Sequence, residues 1–188
     1  MITKRVIRTV ITAVAATTTA LVTAAPAHAG VDTNAALTAC RLGVTGATAN
    51  LHLDPHSLGV YAGSPGGALE TQVRPGAVVR VTATGRISYG GVFNWRGTWG
   101  PDGNGQRAPL NISWPYPGGP DAALVGMWNH TGQNTPIGSN SGCMVVPPQT
   151  ISTAPYGLWL RANDDWLDDN GDIGYDIRVS AWLYYSQG

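Results

Sequence analysis

From Leu58 onward apolar and polar residues alternate with a period of two between turn signals, the pattern of strands buried on one face. In Val78-Val79-Arg80-Val81-Thr82-Ala83-Thr84, one face takes Val79, Val81 and Ala83 and the other takes Arg80, Thr82 and Thr84. Leu158, Leu160 and Ala162 alternate with Trp159, Arg161 and Asn163, and Tyr175, Ile177, Val179, Ala181, Leu183 and Tyr185 share a face through the last run. Further short strands are predicted over 59–62, 69–74, 110–114, 122–128 and 143–146. Arg74-Pro75-Gly76, Pro101-Asp102-Gly103, Pro117-Gly118-Gly119-Pro120 and Asn170-Gly171 separate these runs as turn punctuation. Many short strands and no long helical period predict an all-β fold, an antiparallel β-sandwich or jelly roll. Residues 30–57 fit the pattern least. With Ala35-Ala36-Leu37 and Ala47-Thr48-Ala49 able to form at most short helical turns, they read as an N-terminal extension, and 58–188 as the sandwich domain.

Residues 1–29 have the form of a secretory signal peptide: cations Lys4, Arg5 and Arg8, an uncharged Ala/Val/Thr stretch, then Ala27-His28-Ala29. The stretch is too rich in Thr and Ala for a membrane span, which takes about 20 predominantly apolar residues. A secreted protein is therefore expected. Its charge differs from that of the whole chain, because eight arginines against eleven acids leave the exported part at −3. With no basic excess, nucleic acid is an unfavourable partner. The length of 188 residues suits one domain, and 25 Gly with 13 Pro call for many turns. Both cysteines, Cys40 and Cys143, lie in the exported part, where an oxidising compartment favours a bridge over two unpaired thiols.

The stretch Asn163-Asp164-Asp165-Trp166-Leu167-Asp168-Asp169-Asn170-Gly171-Asp172 places five of the eleven acids in nine positions between two predicted strands. Two carboxylates about 4 Å apart repel by roughly 4 kcal/mol at an effective dielectric near 20, so an ordered loop of this kind needs a counter-charge. Calcium suits it, since Asp, Asn and backbone carbonyls are the oxygens that this ion accepts. An EF-hand is excluded, because Ile173 and Val179 stand where Gly and Glu are required. A solvated acidic turn is the plainer alternative. Asp102-x-Asn104-x-Gln106 reads as an ordinary turn, and Pro55 removes the helix on which His52 and His56 would share a metal. Trp95, Trp99, Trp114 and Tyr116 lie in Gly/Pro-rich segments. Aromatic rings there serve either the core or the C–H face of a sugar. Phosphate-cradle, Rossmann and nucleophile-elbow patterns are missing, which argues for a non-enzymatic protein.

In order along the chain, Pro75-Gly76-x-x-Val79-x-Val81-x-Ala83-x-Gly85, Ile87-Ser88-Tyr89-Gly90 and Trp99-Gly100-Pro101-Asp102-Gly103 resemble the first half of the calcium-dependent galactophilic lectin family, PA-I-like or LecA-like. Leu124-Val125-Gly126, Gly157-Leu158-Trp159-Leu160-Arg161-Ala162-Asn163-Asp164 and Asp169-Asn170 are similar to its second half. The resemblance implies a jelly roll of galactose-binding-like type with Ca2+ at one end. Its ligands would be the Tyr89 carbonyl, the Asp164 carboxylate, a carbonyl near Leu167 and the side chains of Asp169 and Asn170. Two vicinal sugar hydroxyls would complete the ion's shell, with Asp164, Asp165 and Asp169 beside them. The family's further sugar-contacting His and Gln have no match between Trp99 and Leu124, where this chain offers Gln106, Arg107, Asn111 and Trp114.

These observations give the expectation of a secreted lectin that binds glycans or glycoconjugates, galactose-type among them, with Ca2+ as cofactor and homo-oligomers compatible with weak single sites. A calcium-stapled structural or adhesion sandwich without a sugar pocket is the alternative. A hydrolase using paired Asp residues is weaker, since the acids cluster on one loop.

Overall fold

The computed structural model describes residues 30–63, 69–90 and 97–186. The expected leader, 1–29, and Trp95 lie outside the described residues. Among these residues helix α1 spans Thr33–Arg41, and nine strands follow: β1 Ala47–Leu53, β2 Val60–Ala62, β3 Val78–Tyr89, β4 Gly97–Trp99, β5 Leu124–Trp128, β6 Gln133–Pro136, β7 Met144–Val145, β8 Leu158–Ala162 and β9 Gly171–Trp182. They form two antiparallel sheets. One runs β1-β9-β3-β4, with β7 pairing the start of β3, and the other runs β2-β8-β5-β6. The chain changes sheet at nearly every step, and its first and last strands pair side by side. This winding is a jelly roll, to which β4 adds a short arm beside the end of β3.

The period-two reading assigns the faces correctly within β3, β8 and β9, but β9 ends at Trp182, and Tyr185, expected on the same face, is exposed. Val79, Val81, Leu158, Leu160, Tyr175 and Ile177 are at most 2% exposed and meet between the sheets, each strand removing one row of side chains from water. On the other face of the larger sheet, α1 covers Val78 and Trp182 with Ala36, Ala39 and Cys40. Asp32 caps this helix by accepting from the Ala35 amide at 3.0 Å. Cys40 and Cys143 form a disulfide, with Cα atoms 6.1 Å apart.

Several elements differ from the sequence expectation. Residues 30–57 form no separate extension, for β1 pairs β9 along its whole length from Ala47↔Ala181 to Leu53↔Tyr175. Ala, Asn and His are weak strand formers, so the edge pairing with β9 decides this segment rather than propensity. Expected strands at 69–74 and 110–114 are turns. In the second, Asn111 Oδ1 accepts from the Ser113 amide at 3.0 Å, a local bond that competes with strand pairing. Polar β6, Gln-Asn-Thr-Pro, carries no alternation to read and lies at a sheet edge. Among the described residues no helix is long and apolar enough to cross a membrane.

Two glycines bring the strands close enough to shape the end where the acidic loop emerges. A Cβ on Gly85 (φ +98°) would stand 2.3 Å from the Gly174 carbonyl oxygen, and one on Gly174 (φ +95°) 2.2 Å from that of Leu53. Just beyond, the β3–β9 register shifts between Arg86 and Ser88, and Ser88 pairs with Gly171.

Candidate functional site

The loop between β8 and β9 carries the acids. Its first residue, Asn163, is fully buried and stitches neighbouring loops together. The Asn163 side chain accepts from the Tyr116 amide at 2.9 Å and donates to the Pro120 carbonyl at 2.7 Å. Asp164 is only 2% exposed, whereas Asp165 and Asp168 face solvent and Asp169 is half-buried. A single 3-10 turn over Leu167–Asp169 then leads into buried Asn170. Because Ser88 pairs with Gly171, the end of β3 adjoins Asn170.

His56, Leu58, Arg161, Asp164, Asp165 and Trp166 form much of the wall of a cleft of about 420 Å³ here. Arg161 supplies a counter-charge that the sequence does not assign to this loop. Burial lowers its pKa, and the nearby negative charge of Asp164 opposes that shift. Its Nε is buried without a hydrogen-bond partner among the described residues. Trp166, 64% exposed, presents its ring at the same cleft. Only its position inside an acidic loop hints at this placement in the sequence.

The ligand set expected for calcium divides into residues that fit an ion and residues already engaged. Asn170 Nδ2 donates to the Pro55 carbonyl at 3.2 Å, which fixes the amide, while Oδ1 is buried without a hydrogen-bond partner among the described residues. A desolvated oxygen of this kind calls for a cation or a donor. The Leu167 carbonyl instead accepts from the Asn170 amide at 3.2 Å and lies 3.1 Å from His56 Nδ1. With His56 donating, both of its lone pairs are used, and an ion there would have to displace one donor. The Tyr89 side chain points into the core, its hydroxyl 2.9 Å from that of Tyr175, so only its backbone is available to an ion. No group of three or more His, Cys, Asp or Glu among the described residues is placed to hold a metal. The Asp172 side chain lies outside the described residues. An ion at this loop would depend on amide and carbonyl oxygens beside Asp164 and Asp169, a donor set that fits calcium and not zinc.

The expected sugar contacts do not share one cleft. Gln106, Arg107 and Tyr116 line a second cleft of about 380 Å³, joined to the first through the hydrogen bonds of Asn163. Trp114 is only 3% exposed, so its ring packs inside the protein and cannot stack on a sugar. Asp121, missed in the sequence because it follows Pro120 in a turn, accepts from Asn104 Nδ2 at 2.6 Å through one oxygen. Its other oxygen is buried without a hydrogen-bond partner among the described residues. The Asp102 loop is structural, with Asp102 Oδ1 accepting from the Ser139 amide at 2.6 Å. His52 and His56 turn to different partners, Asp176 and the Leu167 carbonyl, and share no metal position.

Comparison with known protein families finds no matching family model, and no curated protein matches the chain.

Proposed function

We propose that this jelly roll is a secreted, non-enzymatic carbohydrate-binding protein whose 164–170 loop takes up calcium. The observation that carries the reading is the buried Oδ1 of Asn170, without a hydrogen-bond partner among the described residues, in the acidic loop, where its amide is anchored on the Pro55 carbonyl. Asp164, Asp169 and the backbone at Tyr89 would hold the ion together with Asn170, supported by the pairing of Ser88 with Gly171. Bound there, calcium would supply positive charge and open positions for hydroxyl oxygens. Exposed Trp166 offers a flat apolar face to the C–H side of a sugar ring, and the outer carboxylates accept hydroxyl protons. Galactose-type glycans are the candidate ligands implied by the family resemblance.

Calcium that binds only the folded state at about one hundred times its dissociation constant stabilises it by roughly 2.7 kcal/mol. For a domain of this size, that corresponds to a Tm rise of about 5–10 °C. The rise is expected to vanish in Asp164→Asn and to persist in Trp166→Ala, which instead loses glycan binding. Differential scanning calorimetry with calcium and with chelator checks the first part, and a glycan array under the same two conditions checks the second. An unchanged Tm in wild type would sink the calcium site. A second reading rests on Arg161, whose charge beside Asp164 balances the loop without metal. It predicts chelator-resistant stability and a marked loss in Arg161→Gln.

A further inference from the structure

The outer face of the larger sheet, built from side chains of β1, β9 and β3 that line no part of the acidic-loop cleft, forms a polar groove. Three rows cross it in register: Thr48↔Ser180↔Arg80, Asn50↔Arg178↔Thr82 and His52↔Asp176↔Thr84. Two clefts of about 360 and 260 Å³ lie on this face and adjoin at Thr82 and Arg178, which line both. One end is walled by the turn after α1, held where Trp182 Nε1 donates to the Val44 carbonyl at 2.8 Å. The 139–142 loop forms a lip along β3, with the Ala83 amide donating to Ser139 and the Ser141 amide to Val81. From Asp176 to Ser180 the groove runs for about 13 Å, and three strands make it about 10 Å wide.

Its charge runs against that of the molecule. Arg80, Arg86 and Arg178 project from the outward side of β3 and β9. In the three rows the only acid is Asp176, which His52 engages at 2.8 Å. The exported chain as a whole stands at −3. Arg80 Nε donates to Asn140 Oδ1 at 3.1 Å, which orients its guanidinium, and Arg178 forms no ion pair among the described residues.

We propose that this groove binds a strand of acidic polysaccharide bearing carboxylates, independently of calcium. A guanidinium fork matches a planar carboxylate, and neighbouring Thr, Ser and Asn side chains match ring hydroxyls. Nucleic acid fits worse. Among the described residues the face offers no exposed Trp, Tyr or Phe ring on which a base could stack, since Trp182 at its end is buried and His52 is engaged by Asp176.

The test uses the purified exported protein, chelator throughout, low salt, and fluorescently labelled polygalacturonate oligomers beside their methyl-esterified, uncharged counterparts. The acid form is expected to bind and the ester to bind at least tenfold more weakly. Arg178→Gln and Arg80→Gln each weaken binding roughly tenfold, while Arg41→Gln, on the helix, leaves it unchanged; circular dichroism melting verifies that all three remain folded. Equal binding of acid and ester, or wild-type affinity in folded Arg178→Gln, would overturn the proposal. So would tighter binding of a single-stranded DNA of similar length, or a dimer that forms through this face and is lost in Arg178→Gln. Because chelator is present, failure here leaves the calcium reading intact, and failure of the calcium reading leaves this one.

Discussion

Two tyrosines from different strands meet at the centre of the sandwich, both fully buried, and their hydroxyls need each other. Tyr175 also reaches the Gly100 carbonyl at 3.2 Å and the Ala122 carbonyl at 3.3 Å, so it ties the 100–122 loop to the core. Burial pushes its pKa up to about 12 and holds that of Tyr89 well above the ordinary phenol value, which keeps both phenols protonated at neutral pH. Tyr175→Phe strands the Tyr89 hydroxyl and is expected to cost about 1–3 kcal/mol in urea unfolding, with the fold retained. His130 is another fully buried polar residue, with Nε2 on the Pro147 carbonyl at 3.0 Å and Nδ1 without a partner among the described residues. Burial lowers its pKa from the ordinary 6.5. As pH falls through that value the unfolded chain takes up a proton that the folded chain refuses, so this contribution to stability is full above 6.5 and lost below it. Melting curves at neutral and mildly acidic pH should show the decline, and His130→Gln should flatten it. At this scale the sequence was a mixed guide. It put Asp164 and Asn170 in one loop, where both are buried, yet Trp114 and Trp166 are the same residue type in similar contexts, and only burial distinguishes them.

Strands were legible where one face is dry and the other wet, as in β3, β8 and β9, because alternation records the environment that each side chain will have. They were illegible where tertiary pairing overrides local preference. β1 takes its conformation from β9, and the expected strand at 110–114 lost to an Asn-centred turn. Helix α1 belongs to the same group: nine residues are marginal alone, and its hold comes from packing on Val78 and Trp182 and from the disulfide. The bridge closes a loop with a sequence separation of 103. In the chain-entropy model, reduction or paired Cys→Ser substitution is expected to cost roughly 4–5 kcal/mol, measured as a shift in the denaturant midpoint. Replacing Gly174 with Ala drives a methyl into the Leu53 carbonyl, and the β1–β9 edge should loosen, with faster amide exchange over 47–53.

At the scale of the whole molecule, the all-β class followed from the spacing of strands and turns, while the order of strands within the sheets did not. Period-two patterning fixes which face is buried but carries no label for the neighbour. The candidate site shows the same division. Its acidic loop is contiguous and visible in the sequence, whereas Pro55, His56 and Arg161 reach it from other parts of the chain. The pairing of the first strand with the last has a temporal consequence. A chain made from its amino end has no partner for β1 until residues 171–182 have been synthesised, and without β9 the larger sheet lacks its centre. Closure over so long a separation is entropically slow. The segment from β1 onward must therefore stay open and threadable until β9 has emerged, and only then can the larger sheet condense.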